Sequence, residues 1–246
     1  MHVTDKKVVL ITGGARGLGL VLVEEFLKNK FAVIINYYAS HKKVQSLEKQ
    51  ALFDQENCQF YKADISDHRA VTVMVENCIK KWGRIDVLIN NASIAEDALL
   101  KDIQGASWDN VISVNLTGVF HVVKQVLKQM VKQKNGSIIT VASYLGICGG
   151  KGVAHYAASK GGVIGLTKTI AREYGNFQIR CNAVCPGFML TDMSKKVTHK
   201  FVEIIQKQNA LGILNDPKEV ARFIVFLAGM EQVSGQVFNL DSRILP

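Results

Sequence analysis

Short, almost wholly apolar runs alternate along this chain with longer segments in which apolar residues recur at helical spacing. Short apolar runs rich in β-branched residues are typical of strands that are buried on both faces of a parallel sheet. The pattern predicts strands at Lys7–Ile11, Ala32–Asn36, Cys58–Lys62, Val87–Asn90, Ser137–Ala142, Ile179–Val184 and Gln236–Leu240.

The segments between these strands predict crossover helices, at Leu18–Lys30, Arg69–Trp82, Trp108–Lys132 and Ala157–Tyr174. A strand that alternates with a helix in this way indicates an α/β fold, here a Rossmann-type doubly wound parallel sheet of about seven strands with helices on both faces. Because no Ser- or Pro-rich linker interrupts the alternation, we expect a single domain over residues 1–246.

The chain after the sixth strand is less regular. Residues Phe188–Thr198 follow Pro186 and Gly187 and predict a loop or a mobile lid. A further helix is expected at Phe201–Gln208, and Asp216–Pro217 predicts the start of another, because Asp caps helices and Pro suits the first helical position.

Composition excludes several classes of protein. With 48% hydrophobic and 21% charged residues, the chain is too apolar for disorder and too mixed for a fibrous repeat. No apolar run approaches the roughly 18 residues that span a bilayer, and no signal peptide precedes the first strand, so we expect a cytoplasmic protein without a membrane partner. The five cysteines form no CxxC pair and indicate reduced core thiols, and the six scattered histidines give no metal site.

The charge balance leaves the partner open. The chain has 30 Lys plus Arg against 21 Asp plus Glu, a formal net charge of +9. Such a surface attracts an acidic partner, although it is also compatible with ordinary solubilising charge. No basic patch with interleaved aromatics and no helix-turn-helix pattern is present, so a nucleic-acid partner is not expected.

A glycine-rich turn, Thr12–Gly19, follows the first strand directly. Gly13, Gly17 and Gly19 allow a tight turn and a close backbone approach to a ligand, and the following helix start offers free N–H groups and a positive dipole end. These features suit a pyrophosphate. The GxxxGxG spacing differs from the general GxGxxG fingerprint, so a plain turn that binds no ligand stays open.

The residues after the second strand bear on the choice of cofactor. A carboxylate here would bind the ribose 2′-hydroxyl of NAD, but the stretch Asn36–Lys43 contains none. Arg16 lies in the glycine turn and Lys42 and Lys43 follow the strand, which favours the 2′-phosphate of NADP(H). The alternative is that the two lysines belong to a solvated helix face.

Tyr156 and Lys160 lie four residues apart in a segment of helical period, so their side chains share a face. An ammonium about 4 Å from the phenol, at an effective dielectric near 20, would favour the phenolate by about 4 kcal/mol. We therefore expect a lowered pKa for Tyr156. Such pairs are common by chance, but Ser143, thirteen residues earlier, ends the fifth strand, and ligands bind at the carboxyl ends of strands.

These residues occur together with Asn90–Ala92 after strand four, Asn115 in the next helix, and Pro186, Gly187 and Thr191 after strand six. In this order and spacing the chain resembles the short-chain dehydrogenase/reductase family over practically its whole length.

The resemblance implies a catalytic set of Asn115, Ser143, Tyr156 and Lys160. Tyr156 would protonate the carbonyl oxygen during reduction, and Ser143 would orient that oxygen. Lys160 would lower the pKa of Tyr156 and hold the nicotinamide ribose, and Asn115 would bind a water that connects Lys160 to solvent. His155, beside Tyr156, either faces the substrate pocket or is a solvent-side neighbour.

The resemblance also implies an NADP(H) site and a homotetramer. The cofactor residues would be Gly13, Arg16, Gly17, Leu18 and Gly19 at the phosphates, Asp64 and Ile65 at the adenine, Asn91 at the adenosine side, Lys160 at the nicotinamide ribose and Thr191 at the nicotinamide, together with Ala92, Tyr156, Pro186 and Gly187. Two departures from the family pattern are Ser93, where glycine is usual, and Ser242–Arg243, where two glycines are usual. The second leaves the packing of the final segment open.

Four local strings resemble the bacterial branch that reduces 3-oxoacyl groups on acyl carrier protein; they are Asp97–Leu100, Asn115–Phe120, Tyr156–Gly162 and Pro186–Met193. This implies NADPH-dependent reduction of a 3-oxoacyl thioester. Lys124, Lys128, Lys132 and Lys134 suit an acidic carrier, but Asn176–Phe177 replaces a second basic position of that branch. The alternatives are another ketone, alcohol, sugar or steroid as substrate, and a cofactor-binding regulator without turnover.

Overall fold

A parallel seven-stranded sheet forms the centre of the protein, in a computed structural model that describes residues 5–194 and 197–243. Its strands are β1 (Val8–Ile11), β2 (Ala32–Tyr37), β3 (Cys58–Lys62), β4 (Val87–Asn90), β5 (Gly136–Val141), β6 (Ile179–Cys185) and β7 (Val237–Asn239). The predicted strands and the doubly wound α/β class are confirmed, with strand ends that differ slightly from the predicted ones.

The strand order is β3-β2-β1-β4-β5-β6-β7, so the direction of winding reverses at β1. Ile11, the last residue of β1, pairs with Ile35 on one side and Ile89 on the other. In sheets of this kind the crevice beside the first strand, at the carboxyl ends, is where ligands bind. The residues that follow β1, β4, β5 and β6 are therefore brought to one edge of the sheet.

Helices cover both faces of the sheet. They are α1 (Gly17–Lys28), α2 (His41–Leu47), α3 (His68–Trp82), α4 (Gly105–Ile112), α5 (Gly118–Gln133), α6 (Leu145–Cys148), α7 (Ala154–Tyr174), α8 (His199–Gln208) and α9 (Pro217–Gly229). The predicted start at Asp216–Pro217 is confirmed, since the Asp216 carboxylate accepts the backbone N–H of Lys218 at 2.9 Å.

Successive residues of one strand enter two different cores. Val8 and Leu10 pack with side chains of α3, α5 and α7, whereas Val9 and Ile11 pack with side chains of α1 and α9. This follows from the alternation of side chains across a sheet, and it explains why strands covered on both faces are apolar throughout. That the whole chain forms one domain stays a prediction.

The predicted single helix Trp108–Lys132 is wrong in one respect, because a π-helical segment, Ser113–Thr117, separates α4 from α5. Asn115 lies in that segment, and its side chain pairs with both backbone groups of Ile94. The wider turn is common at functional sites, and here it lets a helical side chain reach the loop after β4. Periodicity alone does not reveal one extra residue in a turn.

The cysteine prediction holds for four positions and is wrong for one. Cys58, Cys78, Cys181 and Cys185 are buried, and burial raises the pKa of the Cys78 thiol to about 12, but Cys148 on α6 is exposed. Within the described ranges, none of the helices is both long enough and apolar enough to span a bilayer.

Candidate active site

The glycine turn joins β1 to α1 at the point where the sheet reverses. Gly13 and Gly17 have φ angles of +64° and +54°, a backbone conformation that glycine adopts at little cost. A Cβ on Gly13 would lie 2.9 Å from the Cα of Ala92. The turn therefore packs directly against the chain that leaves β4, and two of the predicted cofactor segments are in contact.

Gly19→Ala is expected to destabilise the protein by about 2 kcal/mol and to abolish nucleotide binding, because the added Cβ would lie 2.2 Å from the carbonyl oxygen of Gly13 and 2.7 Å from Nδ2 of Asn91. Urea unfolding and nucleotide titration measure the two effects. Gly165→Ala on α7 is the matched control: apart from its chain neighbours and the backbone of its own helix, no described atom lies within 4 Å of its added Cβ. It should stabilise by up to about 1 kcal/mol. Equal behaviour of the two variants would contradict the close packing.

Buried polar side chains hold this turn in place. The Thr12 hydroxyl accepts the backbone N–H groups of Asn91 and Ala92 at 3.0 and 3.1 Å, and Asn91 Nδ2 donates to the carbonyls of Thr12 and Gly13 at 3.0 and 3.2 Å. Asn36 accepts the N–H of Gly13 at its side-chain Oδ1, at 3.4 Å, and the N–H of Gly14 at its backbone oxygen, at 2.9 Å. Sequence analysis missed Thr12 and Asn36; the available signal is a buried polar residue at the carboxyl end of an apolar strand.

The residues predicted at the adenine and the 2′-phosphate flank the same crevice. Asp64, after β3, accepts the N–H and the hydroxyl of Ser66 at 2.9 and 2.7 Å, which shapes its loop. Ile65 is buried against Gly118, where an added Cβ would lie 2.8 Å from its Cγ1. Arg16 is exposed at the N-cap of α1. Its guanidinium is thus at the positive end of that helix and available to an anion.

Ser143, Tyr156 and Lys160 meet where β5 ends. Helix α7 begins at Ala154, earlier than the predicted Ala157, so Tyr156 lies in its first turn. The Ser143 hydroxyl lies close enough to the Tyr156 phenol to act on its pKa. Lys160 Nζ donates to the carbonyl oxygen of Val141, the last residue of β5, at 2.7 Å, and lies 5.6 Å from the centroid of the Tyr156 ring. The structure therefore brings the three side chains together.

The expected lowering of the Tyr156 pKa is wrong for this structure. Burial raises that pKa, and the hydrogen bond from Ser143 offsets only part of the increase. The Lys160 ammonium is bonded to a main-chain carbonyl and not to the phenol oxygen, and burial lowers the pKa of Lys160 to about 8. Tyr156 thus holds its proton at neutral pH, which is the state that a proton donor requires.

Asn115 connects the loop after β4 to the helix that carries Tyr156 and Lys160. Its Oδ1 accepts the N–H of Ile94 at 2.9 Å, and its Nδ2 donates to Ile94 O at 2.9 Å and to Ser159 Oγ at 3.1 Å. The Ser159 hydroxyl in turn donates to the carbonyl of Tyr156 at 2.7 Å. The amide of Asn115 is therefore committed to holding these elements together.

The segment after β6 reaches back to the glycine turn. Pro186 and Gly187 are buried at the end of the strand, and Thr191 Cβ lies 3.7 Å from the place that a Cβ on Gly17 would occupy. The Thr191 N–H donates to Ser194 Oγ at 2.8 Å. In the predicted lid, Lys195 and Lys196 lie outside the described residues. Leu190 and Thr191 line a pocket together with Gly17 and Val21 of α1.

His155 is completely buried, which excludes the solvent-side interpretation. Its Nδ1 accepts the N–H of Tyr156 at 3.1 Å, so Nε2 carries the proton in the neutral ring. That Nε2 has no hydrogen-bond partner within residues 5–194 and 197–243. That the ring faces the substrate pocket stays a prediction.

Comparison with known proteins agrees with this geometry. The short chain dehydrogenase family matches residues 7–201. The 3-oxoacyl-[acyl-carrier-protein] reductase of Thermotoga maritima is 43% identical over 243 residues, which cover 98% of each chain. That of Synechocystis sp. is 37% identical over 248 residues, covering 100% of this chain and 99% of the relative. A solved structure, ElxO with NADP bound, is 33% identical with a TM-score of 0.88, over 96% of this chain and 98% of that one. The chain therefore belongs to the short-chain dehydrogenase family of oxidoreductases.

Proposed function

We propose that this protein reduces a 3-oxoacyl thioester to the 3-hydroxyacyl product with NADPH, and that acyl carrier protein presents the substrate. The observation that carries the proposal is the placement of Ser143 after β5 beside Tyr156 and Lys160 of α7, at the sheet edge that also holds the glycine turn. The relatives from Thermotoga maritima and Synechocystis, which carry the name of this activity, support the substrate class.

NADPH, when bound at the crevice, would supply the hydride that the carbonyl carbon of the substrate receives. Tyr156 donates its phenolic proton to the carbonyl oxygen, so the carbonyl becomes a hydroxyl. Ser143 donates a hydrogen bond to that oxygen and holds it beside the phenol, which lowers the entropy cost of the proton transfer. Lys160, with a pKa lowered to about 8, binds the ribose and returns a proton toward Tyr156 after each turnover.

The residues at the crevice fit NADP(H). The pyrophosphate would lie at the N-terminus of α1, where no acidic side chain is present in the first turn of that described helix, and Gly13, Gly17, Leu18 and Gly19 would contact it. Arg16 would pair with the 2′-phosphate. Asp64, Ile65, Asn91 and Ala92 would line the adenosine, and Pro186, Gly187 and Thr191 the nicotinamide.

Arg16→Ala is expected to raise the KM for NADPH ten- to a hundredfold and to leave the KM for NADH within about twofold, because only NADPH carries the 2′-phosphate that the guanidinium would bind. Steady-state rates with each cofactor measure both values. Arg172→Ala, an exposed arginine near the end of α7, is the matched control and should change neither. Similar changes in both KM values for Arg16→Ala would contradict the assignment. Lys42→Ala and Lys43→Ala test the remaining cations.

The surface charge supports a carrier-bound substrate in part. Lys124, Lys128 and Lys132 are exposed along α5, and Lys128 Nζ is fixed by Gln125 Oε1 at 2.7 Å. An acidic carrier would be steered toward such a stripe. However, Phe177 packs its ring against Tyr174 at 6.3 Å and offers no charge. This observation favours the second candidate, a short-chain reductase for a ketone that is free or bound to coenzyme A.

Three substrates separate these candidates when NADPH oxidation is measured: acetoacetyl acyl carrier protein, acetoacetyl coenzyme A and small free ketones. We expect the highest kcat/KM with the carrier, and a strong decrease at high salt, because the steering is electrostatic. Equal rates with the coenzyme A thioester, or activity on free ketones alone, would favour the second candidate. Cofactor binding without any turnover would favour a regulator.

We further propose that the protein works as a homotetramer in the cytoplasm. Exposed aromatic side chains on two helices, Phe120 on α5 and Phe226 on α9, support association through these helices. Light scattering after gel filtration gives the mass, and a monomer would contradict the proposal.

A further inference from the structure

The last described segment, Leu240–Arg243, crosses the carboxyl edge of the sheet. The Leu240 N–H donates to the carbonyl of Cys185 at 3.0 Å, and Asn215 Nδ2 donates to the carbonyl of Leu240 at 2.7 Å. Asp241 lies against the chain after β6, where a Cβ on Gly187 would be 2.8 Å from its Cγ. The segment is therefore fixed directly above the end of β6.

Arg243 forms an ion pair with Asp241 and lies over the ring of Tyr144. The side chains of Arg243 and Asp241 are 12% and 0% exposed. Arg243 Nε donates to Asp241 Oδ2 at 2.6 Å, a second guanidinium nitrogen contacts the same oxygen, and the Arg243 N–H donates to Oδ1 at 3.1 Å. The guanidinium carbon lies 4.0 Å from the centroid of the Tyr144 ring.

This pair reaches the proposed catalytic hydroxyl through one peptide unit. Tyr144 follows Ser143 directly, and Ser143 Oγ accepts the N–H of Leu145 at 3.2 Å, so the three residues form one short turn. A guanidinium fixed by a buried carboxylate and stacked on an aromatic face has little freedom to move. The Tyr144 ring, and with it the backbone of Ser143, is thus held against the segment above β6.

We propose that Arg243 is a positioning residue for the reduction. It acts through Tyr144 to keep the Ser143 hydroxyl at the distance and angle that the substrate oxygen requires. The expected effect of Arg243 on turnover rests on the proposed function. Its expected effect on the order of residues 143–149 does not. It also gives a role to Arg243, one of the two residues at which the final segment departs from the family pattern.

Arg243→Met keeps the length of the side chain and removes its donors and charge. We expect kcat to fall ten- to a hundredfold, because displacement of a catalytic group by about 1 Å can cost a hundredfold in rate. The KM for NADPH should stay within twofold, since the glycine turn is untouched. Arg243→Lys should recover part of the loss, and Tyr144→Phe, which keeps the ring, should retain most of the activity.

A double-mutant cycle separates positioning from a general structural role. Tyr144→Ala should lower kcat as much as Arg243→Met, and the double variant should be no worse than either single one, because both remove the same contact. Multiplicative losses would overturn the proposal. Because Arg243→Met leaves a buried carboxylate unpaired, Asp241→Leu with Arg243→Met serves as the variant that is expected to fold. Full activity in a folded Asp241→Leu, Arg243→Met variant would also overturn the proposal.

Hydrogen exchange of the amides of residues 145–149 provides a measurement without any substrate. We expect these amides to exchange at least tenfold faster in the Asp241→Leu, Arg243→Met variant than in the unaltered protein, with exchange in β1 unchanged. If the unaltered protein reduces no 3-oxoacyl thioester, the proposed function fails while the exchange result still decides whether Arg243 holds the segment. Unchanged exchange in 145–149 would refute that role.

Discussion

Tyr156→Phe is expected to lower kcat for ketone reduction by about a thousandfold while the Kd for NADPH stays within a fewfold. The variant removes one oxygen, the atom from which the proton would be transferred, and general acid catalysis typically contributes a factor of about 10² to 10⁴. The ring remains to pack near Lys160, whose Nζ lies 5.6 Å from its centroid. Single-turnover reduction and fluorescence titration of NADPH measure the two quantities separately.

Tyr174→Phe is the matched control, because Tyr174 lies on the same helix and its ring contacts Phe177. It should leave kcat within twofold. A Tyr156→Phe enzyme that kept a tenth of the activity would show that another group protonates the substrate. Ser143→Ala should lie between the two, since it loses the orienting hydrogen bond but keeps the proton donor.

The sheet could be predicted from sequence because its strands are covered on both faces. Val8–Ile11 and Val87–Asn90 are buried throughout, so hydrophobicity alone marks them. The boundaries of helices that carry the site were harder. Helix α7 begins at Ala154, and the π-helical segment contains Asn115, whose side chain pairs with Ile94 in the loop after β4. Such contacts join residues that are distant in sequence.

The sequence predicted that Ser143, Tyr156 and Lys160 lie together, but it did not predict the electrostatics around them. Helical spacing puts Tyr156 and Lys160 on one face, and family resemblance adds Ser143. Spacing does not reveal that the ammonium of Lys160 is bonded to the carbonyl of Val141, 19 residues earlier in the chain. Nor does it reveal how deeply the phenol is buried, and burial determines the direction of its pKa shift.

The position of Arg243 was likewise beyond the sequence. Residues 240–243 could be recognised as a departure from the family pattern, but only the fold places them over β6 and against Tyr144. Thr12 and Asn36 belong to the same class, since their partners come from β4 and from the glycine turn. The residues that react are therefore easier to identify from the sequence than the residues that fix the positions of the reacting groups.

Lys160→Met is expected to abolish reduction and, at the same time, to stabilise the ligand-free protein. Lys160 is 3% exposed, and burial lowers its pKa from 10.5 to about 8, which corresponds to a cost of roughly 3 kcal/mol for the protonated form. Methionine removes that cost but also the hydrogen bond to Val141 O, worth about 1 kcal/mol. A net gain of about 2 kcal/mol at pH 7 should appear in urea unfolding, with kcat at least a hundredfold lower and weaker NADPH binding.

The pH dependence of this gain tests its cause. Below pH 8 the amine is protonated in both the folded and the unfolded chain, so the cost of burial is fully present. Between about pH 8 and 10.5 the folded protein loses the proton while the unfolded chain keeps it, so the unaltered protein recovers stability as pH rises. The advantage of Lys160→Met should therefore shrink across that range. Lys168→Met, at an exposed position on the same helix, should show no such trend. If Lys160→Met were less stable than the unaltered protein at pH 7, the hydrogen bond to Val141 O would stabilise the ammonium by more than burial destabilises it.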